Sequence, residues 1–381
     1  MARTVVGVND PKAVKRYAGV MAADIAKQSY FLPRFIGEGE PSLLPIQRLT
    51  ELESDAGESI SFDISMQLTQ EPIEGDNRQE GTEEDLQFYS DTIYIDQMRC
   101  GASGGGRMTR KRTLNKMRDT AKARMADWWA RIFDEVVFIY LSGVAGTATA
   151  NQQRLNPGFV LKPTWNGRAN NSIMAPDATH KMSANAINAA NSAAFATTDK
   201  MSLSVIDRFV AKAGTMGGNG VGSPRIQPIK INGETRFVCV MHKWSEYDLR
   251  TGATSGTWLD IQKALATSIG KASPICLGGM GEYSNVVLHA HENVIRMNFN
   301  TLADGAHTIP GARNLFLGVQ AAVVAFGSPG TGLRYDWYEE TRDNGNELVI
   351  SSSSIFGCKK TTFGGSDFGV VVAECAAADP G

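Results

Sequence analysis

One stretch, from Glu71 to Arg124, constrains the fold more than any other: a strongly acidic segment is followed closely by a strongly basic one. Residues 71–85 carry seven acids, Glu71, Glu74, Asp76, Glu80, Glu83, Glu84 and Asp85, against the single base Arg78. Residues 107–124 carry eight bases, Arg107, Arg110, Lys111, Arg112, Lys116, Arg118, Lys122 and Arg124, against the single acid Asp119. The 381-residue chain has a formal net charge of only −2, so the two fields reflect arrangement and not bulk charge. Opposite fields of this strength need partners. Either they meet within one molecule, or each meets its opposite on a neighbouring copy. The second arrangement makes the chain a brick in an assembly.

Hydrophobic content of 42% and charged content of 20% are globular values, and the length allows two or three domains. A near-neutral chain argues against a general nucleic-acid binder, which is usually basic over a whole domain. The five cysteines, Cys100, Cys239, Cys276, Cys358 and Cys375, are scattered and form no CxxC, which fits reduced thiols in a protein made in a cytosol. The first residues lack an apolar core of signal-peptide length, and no apolar run approaches the ~18 residues needed to span a bilayer. The expectation is a soluble product with no membrane partner.

Residues 11–28 read as a helix entered through Asp10 and Pro11, with Val14, Tyr17, Met21 and Ile25 on one face. Prolines and glycines then break the chain, so residues 1–45 read as a short helix on an extended arm, too small to own a core. Residues 58–68 alternate, with Ile60, Phe62, Ile64, Met66 and Leu68 on one face; residues 92–98 do the same. The two strands bracket the acids as a long hairpin, which is marginal alone and needs a surface to lie on.

Residues 108–141 carry the strongest helical signal, through Leu114, Met117, Ala121, Met125, Trp128, Ile132, Val136 and Ile139, with a stop at Ser142-Gly143. The first half of this helix is cationic and should project along a surface. The second is apolar nearly all round and should be buried. Residues 144–200 read as a long irregular insertion. Helices are expected at 202–214 and 257–270, and strands at 236–242 and from residue 285. A hairpin is expected over 333–356, turning at Asp343-Asn344-Gly345, and a final strand at 368–374. Mixed elements without regular alternation indicate the α+β class.

Several motifs invite chemistry. Gly101-Ala102-Ser103-Gly104-Gly105 matches GxSxG, but the preceding strand is half polar, and a glycine hinge between hairpin and helix explains the same residues. The same glycines before Arg107 could cradle a phosphate, yet no GxxxxGK[ST] occurs. His289 and His291, with Cys239 and His242 on another strand, could be built into a zinc site, but no third or fourth ligand has zinc-like spacing. The basic half-helix lacks stacking aromatics, so protein–protein contact is the favoured reading over nucleic acid. No catalytic, cofactor or metal residue is assigned. The site expected from the sequence is an inter-subunit interface formed by the acids of 71–85 and by Arg107, Arg110, Lys111, Arg112, Lys116 and Arg118.

The order of arm, acidic hairpin, long helix, mixed domain and returning strands resembles the major capsid proteins of tailed bacteriophages with the Hong Kong 97-type fold. More narrowly, residues 60–99, 120–143 and 241–250 resemble the N-four-type podophage capsid family. The resemblance implies a Hong Kong 97-like capsid fold with an N-terminal arm (1–57), an extended E-loop (58–106) and a peripheral domain with the spine helix and insertion (107–201). An axial domain (202–326) and C-terminal strands of the peripheral domain (327–381) complete it. It further implies hexamers and pentamers of the chain in an icosahedral shell around non-specifically held double-stranded DNA. Portal, scaffold and decoration proteins are implied partners, no cofactor is implied, and synthesis is expected in the host bacterial cytoplasm. The alternatives are an encapsulin-type compartment with the same fold, or a hydrolase using Ser103.

Overall fold

The computed structural model describes residues 11–39, 44–53, 57–65, 70–81, 83, 85, 88–112, 117–143, 171–184, 196–216, 225–231, 233–252, 274–276, 278–297, 310–328 and 334–381. The helix expected over 257–270 lies outside them. Helix α1 (Pro11–Gln28) has the expected bounds, with Met21 and Ile25 buried. The basic stretch is described as two helices, α2 (Arg107–Arg112) and α3 (Met117–Ser142). Residues 113–116, Lys116 among them, lie outside the described residues. Helix α3 stops at Gly143, whose φ of 67° and N–H bond to the Ile139 carbonyl at 3.0 Å close the last turn.

Two sheets enclose the apolar half of α3. The first runs β1 (Ile36–Glu38), β2 (Ile46–Leu49), β13 (Ala322–Gly327), β15 (Glu347–Lys360), β14 (Tyr335–Arg342), with β5 (Asp96–Ser103) also on β15. The second runs β6 (Lys181–Ser183), β18 (Val370–Ala376), β12 (Gly311–Leu317), β8 (Glu234–Met241), β10 (Val286–Ala290), β9 (Gly281–Tyr283). Strands β7 (Ile229–Ile231) and β11 (Arg296–Met297) flank it, and a small ribbon pairs β16 (Thr362–Phe363) with β17 (Ser366–Asp367).

Strand alternation sorts the core. Val238, Val240, Leu315, Leu317, Val370 and Val372 point from the second sheet into one cluster with Trp129, Phe133, Val136 and Phe138 of α3. Val324, Phe326, Ile350 and Phe356 of the first sheet close the same cluster from the other side. A helix between two sheets has no wet face, which is why its second half is apolar all round. Each fully buried large side chain contributes roughly 1.5–3 kcal/mol. The other side of the second sheet, through Cys239, Met241, Phe316 and Val371, is covered by α4 (Leu203–Thr215) and α5 (Lys243–Gly252).

Three expectations change. The N-terminal segment does not stand off the body: Phe31 and Phe35 enter the main core, and Asp134 of α3 accepts from the Ser29 hydroxyl and the Tyr30 and Phe31 N–H groups at 2.7, 2.7 and 3.2 Å. Within the 144–200 insertion, residues 171–184 are ordered and lay β6 parallel to β18. Of the strands expected from residue 285 onward, β12 lies in the second sheet and β13 in the first, while the final strand, β18, joins β12 in the second sheet and does not follow the 333–356 hairpin into the first. Strands distant in sequence choose their sheets through long-range pairing, which leaves no local signal.

Candidate functional site

Strands β3 (Ser59–Ser65) and β4 (Phe88–Tyr94) pair antiparallel, from Ser59 opposite Tyr94 to Ser65 opposite Phe88. The hairpin expected around the acids therefore exists, but its second strand is 88–94 and not 92–98, because from Asp96 the chain pairs with β15. Its alternation puts Ile60, Phe62 and Ile93 on one face, and that face is buried against Leu49, Leu52, Val323, Ala325 and Phe363 of the same chain. The surface that the hairpin needs is therefore supplied, at its root, by its own body. A two-stranded ribbon is marginal alone, and this docking supplies its missing third layer.

The root is also pinned by polar bonds. The Asn171 side chain bonds both backbone groups of Tyr94, and Lys359 pairs with Asp91 and donates to the Thr92 carbonyl at 3.1 Å. Beyond the root the chain is a solvated excursion. Glu71, Glu74, Asp76, Glu80, Glu83 and Asp85 are all exposed, and Glu84 lies outside the described residues. Gly75 and Gly81, at φ 66° and 92°, turn it. Arg78 pairs with Glu80, and Glu83 accepts the Gly81 N–H at 2.7 Å.

The bases divide into two groups. The Arg107 N–H donates to Asn346 Oδ1 at 3.0 Å, the Arg107 Nε to the Gly345 carbonyl at 3.3 Å, and Arg110 Nη2 to the Asn346 carbonyl at 2.8 Å. These bonds fasten α2 to the β14–β15 turn, where Asp343, Asn344 and Gly345 all have positive φ. Arg118 pairs with Glu339 at 2.8 Å, and Lys122 with Asp24 at 3.8 Å. Lys111 and Arg112, by contrast, are exposed and have no partner among the described residues, and Met108 between them and the hinge is 62% exposed. Helix α2 is thus a wet platform fastened to the chain's own β14–β15 hairpin.

Acids and bases sit at opposite ends of β4 and β5, which run from Phe88 to Ser103 with a break only at Ile95. At ~3.3 Å per residue that run reaches at most about 50 Å. The partners inside the chain that sequence reading missed are Asn346, Glu339 and Asn171. The Asp343–Asn346 turn was legible, but not that it grips Arg107; nothing near Asn171 in its polar segment marks it.

The rival motifs find ordinary roles. Strand β5 pairs antiparallel with β15, and the Ser103 hydroxyl donates to Glu347 at 2.7 Å, so the strand that leads to a nucleophile elbow is missing. Among the described residues no three His, Cys, Asp or Glu side chains converge as a metal site. His289 lies 2.7 Å from the Ile275 carbonyl, and His242 accepts the Trp244 N–H at 3.1 Å. No helix among the described residues is long and apolar enough to cross a membrane.

Comparison with known proteins agrees with this architecture. The family model described as phage capsid protein matches residues 5–379. The chain is 25% identical to the major capsid protein of Pseudomonas phage KPP25, over 92% of each chain. Among solved structures, the capsid of Ralstonia phage GP4 is 44% identical and superimposes with a TM-score of 0.81 over the full length of both chains. The Cyanophage Pam1 capsid asymmetric unit, 19% identical over 93% of each chain, shares the fold with a TM-score of 0.66.

Proposed function

The chain belongs to the phage capsid protein family, and from that premise we propose how its copies meet. It is a major capsid protein with the Hong Kong 97-like fold, and its copies form the icosahedral head shell of a phage. In our reading, the acidic excursion of one copy lies across the basic platform of the next and sets the register between them. The observation that supports this is that an exposed acidic loop lies at one end of β4 and β5, and Lys111 and Arg112, exposed and without a partner among the described residues, lie beyond the other. Exposed ion pairs contribute roughly 0–1 kcal/mol each, so the strip suppresses wrong contacts more than it holds the shell. Many weak contacts per copy add up while errors can still be corrected.

The remaining roles follow the same reading. Residues 1–57 act as the arm, 58–106 as the E-loop, 107–201 with 327–381 as the peripheral domain, and 202–326 as the axial domain. Hexamers and pentamers enclose double-stranded DNA without base-specific contacts, and portal, scaffold and decoration proteins complete the head. The chain is made in the bacterial cytoplasm, ends in the virion and turns over no substrate. The test is charge reversal at Lys111→Glu and Arg112→Glu, which spares the internal bonds of Arg107 and Arg110. Shells should be lost by electron microscopy and partly restored by reversing Glu74, Asp76 and Asp85 to lysine. Normal shells from the first variant overturn the register, though not the family.

A further inference from the structure

Three histidines converge where the N-terminal segment, α3 and the second sheet meet. His242 follows β8, His289 lies in β10 and His291 follows it. The His242 ring packs on Trp244 at 5.1 Å, and the rings of His289 and His291 pack on aromatic side chains from two other elements. Tyr30 is 4.5 Å from His291, Phe35 is 5.2 Å from His289, and Phe138 of α3 is 5.1 Å from His291, centroid to centroid.

The hydrogen bonds require neutral rings. Nδ1 of His242 accepts the Trp244 N–H at 3.1 Å, and Nδ1 of His291 accepts the Asn293 N–H at 3.0 Å. A protonated Nδ1 can accept neither. His289 Nε2 sits 2.7 Å from the Ile275 carbonyl, so it carries the proton, and its buried Nδ1 has no partner among the described residues. A proton there is an N–H with no acceptor. The charged neighbours are cations: Arg34 beside the N-terminal turn, Lys243 at the start of α5 and Arg296 of β11. The carboxylates nearby are engaged elsewhere. Asp134 holds the Ser29–Phe31 turn, Glu246 pairs with Lys243 at 3.0 Å, and Asp379 faces Arg296. Tyr30, whose hydroxyl is buried and faces Arg34, Asp134 and Cys239, stays neutral throughout the acid range.

We propose that this cluster is an acid-operated release. Proton uptake by His242, His289 and His291 breaks the bonds to Trp244 and Asn293, sets imidazolium against Arg34, Lys243 and Arg296, and frees residues 29–35 from the second sheet. The two sheets stay folded. Burial, reinforced by the cations, holds all three histidines at about 4, below their ordinary 6.5. Native stability from them is therefore complete above pH 6.5 and is lost as the pH falls toward 4. Asp134, raised to about 6, takes up a proton over the same range with the opposite sign, but it is one group against three.

Hydrogen exchange of the unassembled full chain, corrected for intrinsic rate, tests this from about pH 7 to about pH 3.5. Protection of residues 29–35 should fall at least about tenfold per unit once the cluster titrates, while residues 350–358 of β15 stay protected. Lys243→Glu, at an exposed side chain, supplies a carboxylate and should move the release to lower pH. Constant protection of 29–35 overturns the proposal. So does its loss in step with β15, or an unshifted release in Lys243→Glu.

Discussion

The side chain of Asn171 makes both hydrogen bonds that a neighbouring strand would make to Tyr94: its Oδ1 accepts the Tyr94 N–H at 3.0 Å and its Nδ2 donates to the Tyr94 carbonyl at 2.6 Å. Asn171 is 1% exposed. The amide therefore caps the β3–β4 hairpin where it leaves the body, and ties that root to the segment leading into β6. Asn171→Ala leaves both groups of Tyr94 without a partner and should cost about 1–3 kcal/mol in denaturant unfolding. The same variant should raise exchange at residues 88–94 before any change in β15. Unaltered exchange there would mean the amide is incidental.

Gly357 makes the same crossing sterically possible. A Cβ at this position would stand 2.0 Å from the Tyr94 carbonyl oxygen, which is backbone and cannot swing away. Gly357→Ala should push the hairpin root off β15 and cost about 3 kcal/mol or more, as overpacking against backbone does. Because the root aims the acidic excursion, shell yield should fall further than subunit stability does. Equal stability of variant and parent by thermal unfolding refutes the steric reading.

Local patterns carried much of this fold, and the misses have physical causes. Helix α1 showed its bounds in the Pro11 entry and the Met21 and Ile25 spacing. The Asp343–Gly345 turn showed itself in residues that tolerate positive φ. The β3–β4 pairing was legible from alternation, but alternation does not say what the apolar face meets, and Ile60, Phe62 and Ile93 meet their own chain. The charge blocks pointed to an interface, yet Arg107, Arg110 and Arg118 also have intramolecular partners that composition cannot reveal. Strand β18 left β14 and β15 for the second sheet because its register with β12 puts Val370 and Val372 over α3.

Asp134 gives a pH dependence whose sign is unusual for a carboxylate. Burial raises it to about 6, although the Tyr30, Ser29 and Phe31 donors pull the other way. The folded chain thus holds this proton more tightly than the unfolded one, whose carboxyl titrates near the ordinary 3.8. Its contribution to stability grows as pH falls from about 6 to about 3.8 and is absent above that window. Between about pH 7 and pH 5 the parent should gain roughly 1 kcal/mol over Asp134→Asn, measured as a difference of urea midpoints so that the histidines cancel. A parallel pair of pH profiles would contradict the assignment.

The Arg313–Glu374 pair lies at the centre of the second sheet, with both side chains 0% exposed and Nη2 to Oε1 at 2.6 Å. Arg313 also donates to the Ser142 carbonyl at 3.0 Å, which closes the end of α3, and Lys181 approaches Glu374 at 3.3 Å. Removing one partner strands a buried charge, at about 3–5 kcal/mol. Glu374→Leu should be the worse single change, because it leaves two cations facing each other. Arg313→Met with Glu374→Leu should cost clearly less than the two single changes added together. Simple additivity in that double-mutant cycle would show that the pair is not coupled.

Shell formation should be salt-sensitive in a way that subunit stability is not. The excursion acids and the Lys111–Arg112 pair are exposed, so their attraction is screened over about 10 Å at 0.1 M salt and about 3 Å at 1 M. The apolar seat of the hairpin root, by contrast, is buried inside each subunit and indifferent to ionic strength. Light scattering should therefore show assembly slowing as salt rises, with unchanged thermal unfolding of the free subunit. Lys111→Glu with Arg112→Glu should reverse the trend, because salt then screens a repulsion between copies. Assembly rates of both proteins that rise together with salt would assign the contact to apolar burial, and the charge strip would have no part in register.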